Sequence, residues 1–356
     1  MQIHTLELKG KLSNEVYYRI QNRIKETLDW TYQSHSTTYW GLSQHGIIME
    51  LQHVTKKDLS VYNIIYRISA RRMFEPENYV GLFECAQIEA LIKRADQILS
   101  AFSPLLPKLK TCSLTRLDFC TNLVLEDQKQ VKAYIKLMRR GALPKGFFRK
   151  LYYDKKAKRK KPLQDDFTIY RKGNMELSIY NKYRQMKKEM EKNKKLDFPD
   201  IEEAKDIVRI ELRCLPGKLN QLKKKYKLQH WTELFERAEE IGAYLYEFYL
   251  PKLFGRGDFY TLKELRDRIA ISGFSLNERA GMLEFVEEAT VCRSLDTAEG
   301  YLYGTCFKGK MKRLLNKFDL IAASPVAVPR EERKLFPPEE PIPNPLVLLQ
   351  EAWRRK

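Results

Sequence analysis

Three segments of the chain alternate hydrocarbon with charged or hydroxyl side chains at a period of two, the pattern of a strand with one apolar and one polar face. In the first, Leu117 and Phe119 alternate with Arg116 and Asp118. In the second, Leu177 and Ile179 alternate with Ser178, Tyr180 and Lys182, and in the third Val208, Ile210 and Leu212 alternate with Arg209, Glu211 and Arg213. Paired in one sheet, these strands would offer an apolar floor for helices. The opposite face would then carry two carboxylates, a tyrosine, a lysine and several arginines.

The same reading predicts strands over 1–15, 45–53, 62–71, 114–123, 167–171, 176–182 and 207–214, with helices over 17–28, 86–99, 128–138 and 182–195. Residues 45–53 and 62–71 read as one hairpin, and 167–171 with 176–182 as a second over Lys172-Gly173-Asn174. Beyond residue 220 the pattern turns helical. Thr261 to Glu264 and Ser275 to Glu278 each have the spacing of a capping box, which suits either a helix-turn-helix or an ordinary helical hairpin. The segment from Ser324 onward holds seven prolines (325, 329, 337, 338, 341, 343 and 345) and reads as extended. The expected class is therefore α+β, with a mostly antiparallel central sheet, helices on one face and a mainly helical C-terminal region. The expected division is a catalytic unit over 1–220, a helical unit over 221–323 and a proline-rich tail over 324–356.

Charge sharpens this picture by its location. The 356 residues carry a net charge of +19, and residues 145–195 alone hold 18 Lys and Arg against 6 Asp and Glu. Residues 228–356 are nearly neutral, with 19 against 20. A concentrated positive field beside the polar-faced strands points to nucleic acid as partner, against the plain alternative of a solvated lysine-rich surface. The densest stretch, Lys155, Lys156, Lys158, Arg159, Lys160 and Lys161, follows Tyr152 and Tyr153 and suits phosphate tracking with some base stacking. A second lysine run covers Lys223, Lys224, Lys225 and Lys227. The six cysteines have no metal-finger spacing and read as buried thiols of a reducing compartment. With no run of membrane-spanning length and no signal-like start, the expected location is the cytoplasm.

A phosphodiester carries a full negative charge, so attack on it needs charge stabilisation. Asp118 and Glu211 are ligand types for a hard divalent cation, Mg²⁺ or Mn²⁺. Tyr180 is a nucleophile type, and Lys182 follows it by two residues as a partner for phenolate or oxygen charge. Arg116, Arg209 and Arg213 can clamp flanking phosphates or hold the carboxylates. The plain alternative is a set of cross-strand ion pairs on a solvated face. The histidines (His4, His35, His45, His53 and His230) are scattered, and His45 or Glu50 are candidates for an added ligand.

At these residues the chain resembles the replication initiators of filamentous phages, the gene II protein family, which are related in mechanism to plasmid rolling-circle initiators. The matching segments are Leu114-Thr115-Arg116-Leu117-Asp118, then Leu177-Ser178-Ile179-Tyr180-Asn181-Lys182, then Val208-Arg209-Ile210-Glu211-Leu212-Arg213. The resemblance covers roughly residues 40–220. It implies site-specific nicking of one strand at an origin, with Tyr180 joined to the 5′-phosphate and the freed 3′-hydroxyl priming synthesis. It also implies origin DNA, single-stranded or supercoiled, as partner, with host helicase and DNA polymerase acting later, and no membrane. Three residues beyond Tyr180, Tyr183 invites a two-tyrosine cycle of strand transfer. The chain departs from many rolling-circle nickases in having no His-hydrophobe-His strand. The competing readings are an initiator or repressor that binds an origin without cutting it, and a conjugative relaxase, whose histidine triad is missing.

Overall fold

The structure, a computed structural model, describes residues 2–56, 59–150, 166–192, 197–304 and 309–354. Its strands are β1 (Gln2–Leu12), β2 (Trp30–Gln33), β3 (Ser36–Tyr39), β4 (Ile47–Lys56), β5 (Leu59–Ser69), β6 (Phe83–Glu84), β7 (Ser113–Val124), β8 (Phe148–Lys150), β9 (Asp166–Arg171), β10 (Met175–Asn181) and β11 (Ile207–Cys214). They form one sheet in the order β2-β3-β4-β5-β1-β7-β11-β10-β9-β8, with β6 added beside β1. Neighbouring strands run antiparallel throughout. The three polar-faced strands are β7, β11 and β10, consecutive in the middle of this order.

The helices are α1 (Asn14–Lys25), α2 (Ile88–Phe102), α3 (Gln128–Met138), α4 (Lys182–Lys192), α5 (Pro216–Tyr226), α6 (Glu233–Glu236), α7 (Ala238–Phe254), α8 (Leu262–Ala270), α9 (Leu276–Cys292), α10 (Leu295–Tyr303), α11 (Lys310–Leu320), α12 (Arg330–Arg333) and α13 (Pro345–Arg354). The fold is thus α+β, with a large antiparallel sheet and a helical C-terminal region. Leu117, Leu177, Ile179, Ile210 and Leu212 are fully buried on the floor side of the sheet. Truncating such a residue to alanine typically costs about 2–5 kcal/mol, so this floor holds the polar face in place.

Helix packing departs from the expected plan in three places. The apolar core does not stop at residue 220: one cluster of packed side chains runs from Ile3 to Leu349. The Tyr246 hydroxyl of α7 reaches the main-chain oxygens of Phe119 and Ile210 at 3.1 and 3.0 Å, tying the helical region directly to β7 and β11. The proline-rich stretch is also packed, since Val326, Val328, Ile342, Leu346 and Leu349 are buried. Asn344 is fully buried and donates to the Gly255 and Gly257 carbonyls, which anchors that stretch against the end of α7. Proline excludes regular pairing but leaves neighbouring apolar side chains free to bury. Finally, α4 lies at one end of the polar face, where Met186 packs with Val80, Phe198, Ala204 and Ile207.

Both capping boxes form, at Thr261 with Glu264 and at Ser275 with Glu278. Arg279 bonds the Ala270 carbonyl and Arg266 pairs with Glu287 at 2.8 Å, so contacts continue far from the turn. That is the geometry of an antiparallel helical hairpin. The β2–β3 hairpin escaped the sequence pattern because its two-residue turn is Ser34-His35, both at positive φ (49° and 66°), where Asn-Gly is the usual signal.

Candidate active site

Strand register places the polar side chains on one face. Across β7 and β11, Asp118 pairs with Arg213, Cys120 with Glu211 and Asn122 with Arg209. Across β11 and β10, Arg213 pairs with Glu176, Glu211 with Ser178 and Arg209 with Tyr180. Because partners in register project to the same side, Arg116, Asp118, Glu211, Arg213 and Tyr180 share a surface.

A third element joins them from β1. Ile3 pairs with Phe119 and Leu6 with Leu117, so His4 and Thr5 together stand opposite the single residue Asp118. This is a β-bulge, a device that re-aims a side chain. It brings a ligand atom of His4 and one carboxylate oxygen each of Asp118 and Glu211 within 4.8 Å of one another. Sequence reasoning passed over His4 in favour of His45 and Glu50. His45 lies instead in a short turn before β4, and Glu50 accepts from Ser36 and Gln52 at 2.6 and 2.8 Å. The signal for His4 was a slip in alternation: Ile3 is followed by Leu6 and Leu8, a phase change that only an extra residue in the strand produces.

The arginines set the electrostatics. Arg116 Nε lies 2.9 and 3.0 Å from the two Asp118 oxygens, and a second guanidinium nitrogen also bonds that carboxylate. Arg213 joins three acids, donating to Glu176 at 3.0 Å and Glu211 at 2.9 Å, with Nε 3.4 Å from Asp118. Burial and the Glu211 charge raise Asp118 to about 6. Burial also pushes Glu211 upward, but His4 and the three arginines outweigh it and hold it at about 2. Burial, then Arg209 and Lys182, lower His4 well below its ordinary value, so it is a neutral imidazole near pH 7. Neutral imidazole is the metal-binding form. Thr5 Oγ1 sits 2.8 Å from Nδ1, which leaves Nε2 as the atom for an ion. His4, Asp118 and Glu211 therefore form a group that could hold a metal ion.

Tyr180 donates to Glu211 Oε2 at 3.1 Å. Burial and the Glu211 charge raise its phenol well above the usual value, so this tyrosine holds its proton at neutral pH. Lys182 starts α4, is 4% exposed and donates to Gln185 at 3.0 Å. Burial and the nearby Arg209 lower it to about 7. Asn181, on the other face, caps α4 through Arg184 N and bonds Gln128 of α3, which fixes the strand–helix junction between the two residues.

Arg209 lies apart from the solvent-facing arginines. It is fully buried, with Nε 2.9 Å from Asn122 Oδ1 and a second nitrogen bonded to the Val80 carbonyl. That loop is held in turn by Asp200, which accepts from the Tyr79 and Val80 main-chain N–H groups at 2.6 and 2.7 Å. Arg209 thus ties the sheet to its cover, whereas Arg116 and Arg213 stay reachable, with side chains 18% and 26% exposed. Tyr183 packs against the small cluster around Met186. The run Lys155, Lys156, Lys158, Arg159, Lys160 and Lys161 lies outside the described residues. Of the two residues that flank it in the described structure, Lys150 pairs with Thr168, and Asp166 pairs with Tyr180 itself.

No protein-family model matches the chain, and no curated protein matches it significantly. Among solved structures, the rolling circle replication initiator protein from Geobacillus stearothermophilus is similar over 69% of this chain and 83% of its own. The sequence identity is 10% and the TM-score 0.34, a distance at which the likeness assigns neither mechanism nor substrate.

Proposed function

We propose that the chain is a metal-dependent DNA nicking-closing enzyme that initiates rolling-circle replication at an origin through a covalent 5′-phosphotyrosine. The observation that carries this reading is the hydrogen bond from Tyr180 to Glu211, which joins a nucleophile type to a group of metal-ligand type. An ion on His4, Asp118 and Glu211 would supply Lewis-acid stabilisation of the phosphate charge. The mixed set of one imidazole and two carboxylates favours Mn²⁺ over Mg²⁺.

In the forward step the Tyr180 oxygen bonds to phosphorus and the bond from phosphorus to the 3′-oxygen breaks. The phenol, oriented by its hydrogen bond to Glu211, loses its proton to solvent as the bond forms, and the departing 3′-oxygen takes a proton to become the hydroxyl. Lys182 sits at the strand–helix junction beside the tyrosine, where its protonated form would offset phosphate charge. Arg116 and Arg213 hold the carboxylates in the absence of DNA and offer guanidinium edges to phosphate when it arrives. Attack by a 3′-hydroxyl on the phosphotyrosine reverses the sequence and closes the strand. Lys155, Lys156, Lys158, Arg159, Lys160 and Lys161 supply phosphate contacts in this reading.

The test uses a supercoiled plasmid carrying DNA that flanks the gene, incubated with protein and Mn²⁺ or Mg²⁺. Relaxed circles bearing covalently attached protein are expected from the wild type and not from Tyr180→Phe. Equal nicking by both proteins would overturn the tyrosine mechanism. Binding without cutting by either would support the non-catalytic origin-binding reading instead.

A further inference from the structure

On the floor side of the sheet, away from the carboxylates, three lysines gather over aromatic rings. Lys225 of α5 lies 2.9 Å from the centroid of Tyr244, and Lys252 of α7 lies 3.1 Å from that of Phe248. Between them, Lys218 faces Tyr244, Phe248 and Tyr249 at 5.7, 5.7 and 5.3 Å. Lys218 is only 5% exposed, and its ammonium donates no hydrogen bond and makes no ion pair among the described residues. Lys225 and Lys252 make no ion pair there either. The Cys214 thiol favours the Lys218 charge while the cations Lys225 and Arg171 disfavour it, and Lys218 and Lys312 disfavour that of Lys252.

A buried ammonium is ordinarily paired, and ring faces alone compensate it weakly. Of the three only Lys218 is buried, Lys225 and Lys252 being exposed, and a buried ammonium held beside other cations costs stability unless an anion completes the set. The rings present their faces to the lysines, so bases cannot stack on them without displacing an ammonium. What the surface offers outward is charge without base-reading groups, and that combination contacts a phosphate backbone. Its span over two helices suits closely spaced phosphates, which duplex DNA carries at about one per 1.7 Å of axis.

We propose that the exposed Lys225 and Lys252, with Lys218 beneath them on the α5–α7 surface, form a second DNA site that holds the phosphate backbone of duplex DNA. It lies on the opposite side of the sheet from the carboxylates and does not depend on the nicking reading.

The test is fluorescence anisotropy of the full chain with a labelled random duplex of about 20 base pairs, and with a single strand of equal length, in EDTA at several salt concentrations. Lys225→Gln with Lys252→Gln is expected to weaken duplex binding about tenfold. The slope of log affinity against log salt should fall by about 2, one unit per lost phosphate contact. Single-strand affinity should change less than twofold. Lys218→Met should weaken duplex binding while leaving the melting temperature equal or higher, because it removes an uncompensated buried charge. Unchanged duplex affinity and salt slope in the double variant would overturn the proposal. So would a loss confined to the single strand, or a fall in melting temperature on Lys218→Met with duplex binding intact. EDTA removes any cutting, so the outcome stands whether or not the chain nicks DNA.

Discussion

The Tyr180 hydroxyl donates to Glu211 Oε2 at 3.1 Å, from a strand position one step diagonal to Ser178, the residue that pairs with Glu211 in register. The phenol therefore rests protonated on a carboxylate that also belongs to a group of metal-ligand type. Replacing Tyr180 by phenylalanine removes one donor to Glu211, which keeps Arg213 at 2.9 Å. The expected stability loss is about 1 kcal/mol or less by urea denaturation. A loss of several kcal/mol would mark Tyr180 as a packing residue and weaken its role as nucleophile.

His4 gives a sharper test of the ion site. His4→Ala should lower Mn²⁺ affinity at least about tenfold by titration calorimetry, with little change in melting temperature, since its ring's hydrogen bond is to the neighbouring Thr5. Asp118→Asn should do the same while also freeing Arg116. If His4→Ala binds Mn²⁺ as tightly as the wild type, the ion, where there is one, sits elsewhere.

Arg209 and Arg116 should separate by stability. Arg209→Ala leaves Asn122 Oδ1 without its donor and the Val80 carbonyl with Asn122 Nδ2 alone at 3.3 Å, an expected cost of about 2–4 kcal/mol. Arg116→Ala leaves Asp118 with Arg213 and faces solvent, so its cost should be smaller and its effect on DNA binding larger. The reverse ranking in urea unfolding would contradict the assignment of Arg209 to the cover.

Lys182 predicts a pH dependence of stability. Its folded value is lowered to about 7 from 10.5, so between those limits the unfolded chain binds more protons than the folded one. Stability should then rise with pH from about 7 toward 10.5 and be lowest, for this group, below 7. The slope is at most about 1.4 kcal/mol per pH unit. Subtracting the profile of Lys182→Met isolates the term, and a difference profile that is flat from pH 7 to 9.5 would show the lysine to be charged in the folded state.

The polar face was legible because residues alternate from Arg116 to Phe119 in β7 and along β10 and β11, and register then brings the polar members to one side. Strand order was less so, since β1 sits beside β7 only through pairing of residues more than a hundred positions apart. His4 stayed hidden for that reason, although the slip from Ile3 to Leu6 foretold a bulge. The burial of Arg209 was not readable, because its acceptor is the Val80 main chain from a loop without periodicity. The packing of residues 324–354 was hidden too, because proline content says how a segment is bent and not whether its valines and leucines find a core.

The central claim is that Tyr180 becomes joined to DNA. After reaction of wild type with Mn²⁺ and the nicked DNA, nuclease digestion and tryptic mass spectrometry should find a nucleotide mass on the peptide containing Tyr180, and none with Tyr180→Phe. A nucleotide on another residue, or nicked DNA with a free 5′-phosphate and no adduct, would contradict the account.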